Sequence, residues 1–141
     1  MGPVKILIFD SSERWRLSVH AILAADVDLK VFGEGQDGLQ AVQRCTEVQP
    51  DVVILDLLLP KINGVEAARQ ITEISPGTKV VFLSDCLSRD MMREVLRIGA
   101  GFVMKADAER DLLSVVKAAV HDKSVVRFRY LDDEGKNSEE I

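Results

Sequence analysis

Five short apolar runs, each followed by a stretch with helical spacing, leave this chain few folds to choose from. Residues 4–9 (VKILIF) form the first run, which stops at Asp10. Residues 12–25 then set Trp15, Val19, Ile22 and Leu23 at helical spacing, with Ser11 or Ser12 available as N-cap. Residues 29–32 read as a second strand, and Gly33, Gly35 and Gly38 punctuate the turn after it. Leu39, Val42, Cys45 and Val48 recur at a spacing of three, in a helix that ends before Pro50. The run 51–56 (DVVILD) is nearly all apolar, as a strand covered on both faces should be. The second half repeats the alternation. A loop over 57–63 leads to a helix over 65–75 closed by Pro76 and Gly77, and a strand follows over 79–83. Met91, Met92, Val95 and Ile98 line a helix over 87–98 that stops at Gly99; residues 101–104 form a fifth strand. Leu112, Leu113, Val116, Ala119 and Val120 mark the last helix. Strands and helices in strict alternation need right-handed crossovers, which give an α/β fold with a parallel sheet clothed by helices on both faces.

Size and charge narrow the function classes. At 141 residues the chain holds one domain, expected over 1–121, with 122–141 as a C-terminal tail or the start of a linker. Its 47% hydrophobic and 29% charged residues belong to an ordered globular domain, well away from disorder. A net charge of −5 leaves no basic face to displace counterions, so no nucleic acid is expected to bind this segment itself. No apolar run approaches the roughly 18 residues of a membrane span, and no basic stretch with a cleavage site marks a signal peptide. Cys45 and Cys86 lie far apart with no companion ligands, which reads as two free thiols in a reducing, cytoplasmic setting.

In a doubly wound sheet the working residues sit at the carboxyl ends of the strands. Four polar residues end apolar runs here: Asp10, Asp56, Ser84 and Lys105. A carboxylate at the end of a buried strand is costly unless something compensates its lost hydration. Taken alone, Asp56 reads equally as a loop cap. Taken with the others, two carboxylates and a backbone carbonyl offer hard oxygen ligands suited to Mg²⁺. A lysine and a small hydroxyl suit phosphoryl oxygens, and an aspartate so placed can form an acyl phosphate.

These residues bring a resemblance into view. The pieces ILIFD with Asp10, DVVILDLLLPKING with Asp56, Pro60 and Gly64, KVVFLS with Ser84, and GAGFVMKADAERDLLSVVKAAV with Phe102 and Lys105 resemble a response regulator receiver domain of two-component signalling, of the NarL/FixJ type. The likeness runs over roughly residues 4–121 and keeps every strand end in order. It implies a flavodoxin-like (βα)5 doubly wound parallel sheet with strand order 2-1-3-4-5. It further implies that Asp56 accepts a phosphoryl group from a sensor histidine kinase, and that Asp10, Asp56 and the backbone carbonyl of Leu58 hold Mg²⁺. Ser84 and Lys105 would contact the phosphoryl group. Phe102 would be the aromatic switch that reshapes the surface made by the helix over 87–98, the strand over 101–104 and the last helix, and a homodimer through that face or through the first and last helices is a candidate partner. The output implied is transcription, through a DNA-binding helix-turn-helix for which 122–141 is too short.

One departure stands out. Receivers usually carry two adjacent acids where this chain reads Asp10-Ser11. A serine is a poorer Mg²⁺ ligand than a carboxylate, so weaker metal binding is expected. The alternative is therefore a pseudo-receiver that serves as a constitutive interaction or dimerisation module. A flavodoxin-like or phosphatase-like enzyme is disfavoured, because no glycine-rich phosphate loop follows the first strand and no second aspartate stands two residues past Asp10. His20 and His121 lack partners at useful spacing and read as structural or solvent-facing. Trp15 reads as packing against or shielding the first loop. Met91 and Met92 are most simply helix core and surface, with an adaptable docking face as the alternative.

Overall fold

The computed structural model describes residues 2–99 and 101–121, together with the backbone of two further strands at 127–131 and 137–140. Five βα units run in order. They are β1 (Val4–Phe9) and α1 (Glu13–Leu23), β2 (Leu29–Gly35) and α2 (Gly38–Val48), β3 (Val52–Leu55) and α3 (Gly64–Ile74), β4 (Lys79–Ser84) and α4 (Arg89–Ile98), and β5 (Gly101–Met104) and α5 (Ala108–His121). A single 3-10 turn over Lys105–Asp107 joins β5 to α5. The strands of these units lie parallel in the order β2-β1-β3-β4-β5, so the expected fold and strand order are both present.

Side-chain alternation along the strands builds a core on each face of the sheet. Leu7, Phe9, Val53, Leu55, Val80, Phe82 and Phe102 point one way and meet Ala41, Cys45, Ala67, Ala68, Ile71 and Val95 of α2, α3 and α4. Ile6, Ile8, Val52, Ile54, Val81, Leu83 and Val103 point the other way and meet Val19, Leu23, Leu112, Val116 and Ala119 of α1 and α5. Burial on both faces explains why these strands lack polar alternation.

Helix starts are fixed by side-chain caps. Ser12, Asp37, Asn63 and Ser88 each accept a hydrogen bond from the backbone N–H three residues on, at the heads of α1, α2, α3 and α4. The fourth helix accordingly begins two residues later than the apolar pattern suggested. The sheet also continues past β5. The backbone of β6 (Arg127–Leu131) runs parallel to β5, and β7 (Asn137–Glu140) pairs antiparallel with β6. Composition alone read this stretch as a solvated tail; its strands were not anticipated. Among the described residues, no helix is long and apolar enough to cross a membrane.

Candidate functional site

Neighbouring strand ends set the positions of the site. The N–H of Asp10 donates to Gly35 O at 3.1 Å, and the N–H of Asp56 donates to Phe9 O at 3.0 Å. The sheet hydrogen bonding thus runs one residue past each strand and presents both carboxylates at the same edge. Lys105 follows β5, two strands from β3 and hence about 10 Å away. Its long side chain spans the end of β4, and its Nζ lies 2.8 Å from Asp10 Oδ2 and 3.3 Å from Asp56 Oδ2.

All three groups are buried: Asp10 is 4% exposed, Asp56 6% and Lys105 5%. Each carboxylate spends its second oxygen on the loop that follows it. Asp10 Oδ1 accepts from Ser12 N at 2.9 Å, and Asp56 Oδ1 accepts from Leu58 N at 3.2 Å. Burial works to lower the Lys105 pKa, but the hydrogen bond it donates to Asp10 and the charge of Asp56 outweigh it and hold the ammonium above the usual lysine range. One ammonium between two carboxylates leaves a negative charge uncompensated by this trio.

Ser84 ends β4 and is fully buried, and its Oγ has no hydrogen-bond partner among the described residues. An unsatisfied buried hydroxyl costs about 1–3 kcal/mol, which a phosphoryl oxygen could recover. Strand alternation puts Ser84 on the same face as Phe82, whose register partner on β5 is Phe102. The Phe102 ring is 1% exposed and packs in that core.

The loop from Asp56 to α3 is held tight by Gly64, whose N–H donates to Leu57 O at 2.9 Å. A Cβ at Gly64 would collide with the carbonyl oxygen of Asp56. Leu58, the residue whose carbonyl was expected to face a metal, is 55% exposed on this loop. Ser11 is exposed and helps line an open cleft of about 350 Å³ with Gln36, Asp37, Gln40, Pro60 and Lys61. Among the described residues, no group of three or more acids, histidines or cysteines is placed to hold a metal ion. The donor set is two carboxylates, which suits Mg²⁺ because that ion commonly takes one or two carboxylates and keeps its waters.

Spacing alone missed Arg16 and the partners that Ser12 and Trp15 find at the site. Arg16 donates from Nη1 to Asp10 O at 2.6 Å and from Nε to Glu34 Oε2 at 2.6 Å, clamping the end of β1 to β2. Ser12 both caps α1 and binds Asp10. Trp15, expected to pack against or shield the loop, lays its ring 5.1 Å from Lys105 Nζ. No periodicity signals such contacts, because they depend on side-chain reach across loops. Elsewhere His20 pairs with Glu34 at 2.9 Å, His121 is exposed, and Met91 and Met92 are half-buried, with Met91 packed on the core.

Residues 6–117 match the family model described as the response regulator receiver domain. The chain is 34% identical to the transcriptional regulatory protein DegU of Brevibacillus brevis, across 98% of this chain and 64% of that protein. It is 29% identical to the response regulator protein VraR of Staphylococcus saprophyticus, across 92% of this chain and 62% of that protein. The chain therefore spans a little under two thirds of these curated relatives. Among solved structures, the signal receiver domain of the putative response regulator NarL from Mycobacterium tuberculosis superposes with a TM-score of 0.80 at 24% identity, over 86% of this chain and 99% of that one. The response regulator domain of Thermotoga maritima CheB gives 0.77 at 27% identity, over 84% and 96%.

Proposed function

The chain belongs to the response regulator receiver domain family, and from that membership we propose that it is a phosphorylation-controlled switch in which Asp56 accepts a phosphoryl group from a sensor histidine kinase. The observation that carries the reading is Lys105 drawn across the sheet onto both Asp10 and Asp56, beside a Ser84 hydroxyl left without a partner among the described residues. Receiver domains are signalling modules of two-component systems, and they generally bind Mg²⁺ at the site of phosphorylation. Here Asp10, Asp56 and the Leu58 carbonyl would hold the ion, which supplies positive charge against the oxygens of the transferring group.

An Asp56 carboxylate oxygen attacks the phosphorus of the donor's phosphohistidine, the P–N bond breaks, and the imidazole leaves with its electron pair. Lys105, kept protonated by its two carboxylates, gives up its hydrogen bond to Asp56 and directs an N–H at a phosphoryl oxygen. The Ser84 hydroxyl donates to a second oxygen, and Phe102 follows into the space it vacates. Residues 1–121 form the receiver, 122–141 are a C-terminal tail or the start of a linker, the setting is the cytoplasm, and the switched surface controls an output. By kinship with transcriptional regulators, that output is a DNA-binding domain.

One observation favours the second reading, a pseudo-receiver serving as a constitutive interaction or dimerisation module: a solvent-facing Ser11 follows Asp10 where receivers usually carry a second acid. Incubation with acetyl phosphate and Mg²⁺, followed by intact-protein mass spectrometry, separates the two. The receiver gains one phosphoryl group that Asp56→Ala does not. Incorporation that survives in Asp56→Ala, or none in the wild type, removes the assignment.

A further inference from the structure

Lys105 is held from three sides, of which two are the carboxylates already described. The third is the face of Trp15, the single tryptophan in the chain, with the ring centroid 5.1 Å from Nζ. The contact closes a loop of four residues. Asp10 Oδ1 accepts from Ser12 N at 2.9 Å, Ser12 Oγ accepts from Trp15 N at 3.3 Å, Trp15 faces Lys105, and Lys105 returns to Asp10 at 2.8 Å. The Trp15 side chain is anchored as well, packing against the core between the sheet and helices α1 and α5. An indole face attracts an ammonium through its quadrupole, most strongly where water is excluded, and Lys105 is almost fully buried.

We propose that Trp15 is a positioning residue for Lys105: its indole face fixes the ammonium at the strand edge, where it meets the phosphoryl group arriving on Asp56. The inference rests on the receiver reading for its consequence but not for its geometry. An ammonium on a four-carbon stem has many rotamers. Two carboxylates alone would let it follow either one; the ring confines it to the span between them. A misplaced charge stabilises the transferring group less, so the loss should fall on rate.

Two measurements test it. Because Trp15 is the sole tryptophan, indole emission reads the ammonium directly. Lys105→Met should shift the emission maximum and Lys105→Arg should leave it near the wild type. Identical spectra for wild type and folded Lys105→Met overturn the contact. The second is a double-mutant cycle on the initial rate of phosphorylation by acetyl phosphate with Mg²⁺. Trp15→Leu should slow the wild type about three- to tenfold, while Trp15→Phe stays within about twofold. In the Lys105→Met background, Trp15→Leu should cost nothing further. An equal loss from Trp15→Leu in both backgrounds overturns the positioning role, since packing alone would produce it. If the wild type takes no phosphoryl group, the receiver reading fails, while the emission comparison still decides the contact.

Discussion

Asp10 and Asp56 are two carboxylates sharing one ammonium, and that imbalance sets the chemistry expected of single residues. Ser11 contributes no charge to the site. Restoring an acid there by Ser11→Asp should tighten Mg²⁺ binding severalfold, because the ion is held mainly by carboxylates and water. A magnesium titration with no gain in Ser11→Asp would place residue 11 outside the metal shell. The two thiols should behave differently. Burial pushes the Cys45 thiol up to about 12, whereas Cys86 is exposed. Only thiolate reacts, so iodoacetamide at about pH 8 should modify Cys86 and spare Cys45 in the native protein. Modification of both at equal rates would mean that α2 opens readily. The four strand-ending residues were legible in the sequence because each breaks an apolar run. Arg16, the Ser12 bond to Asp10 and the Trp15 contact were not, since nothing in local spacing says which way a side chain reaches from the first turn of a helix.

Elements here are delimited by caps and by close backbone approach. Asp37 heads α2, accepting from Gln40 N at 2.8 Å, and its other oxygen lies 3.5 Å from Lys61 Nζ. Asp37→Ala should cost about 1 kcal/mol of stability from the lost cap, read as a lower denaturation midpoint at unchanged slope. Gly64 is the stricter position. Its missing Cβ makes room for the Asp56 carbonyl, so Gly64→Ala should destabilise by about 1–3 kcal/mol. That variant should also slow phosphorylation, because the loop carrying the Leu58 carbonyl must shift; a neutral Gly64→Ala would mean the loop yields freely. Periodicity found each of the five strands and helices, since burial on both faces leaves an unmistakable apolar run, but it ended the second strand at Phe32, whereas β2 continues through Gly33 to Gly35. It placed α4 two residues early, because the cap Ser88 rather than the apolar Leu87 decides where that helix begins. The backbone strand at 127–131 escaped notice because a short strand next to acidic residues has no meaning until β5 offers it an edge.

Across the molecule, the proposed switch rests on one face of the sheet. Ser84 and Phe102 share that face, and Phe102 sits in the core beneath α4 with Phe82 and Val95. A phosphoryl group adds about −1.5 to −2 charge at Asp56. It can bias the surface of α4, β5 and α5 only through contacts that differ between two states, and the proposed reading has the Ser84 hydroxyl supply such a contact. Beryllofluoride with Mg²⁺ should therefore change self-association in analytical ultracentrifugation. In Ser84→Ala that response should be largely lost while Asp56 still accepts phosphate. An identical sedimentation profile with and without beryllofluoride in the wild type would favour the constitutive module. The central claim remains the covalent one, and reductive trapping addresses it most directly. Borohydride converts an aspartyl phosphate to homoserine, so protein treated with acetyl phosphate and Mg²⁺, reduced and sequenced by tandem mass spectrometry, should carry homoserine at position 56 and at no other aspartate. Homoserine at Asp10 or elsewhere, or an unreduced Asp56 in every peptide, would contradict the account.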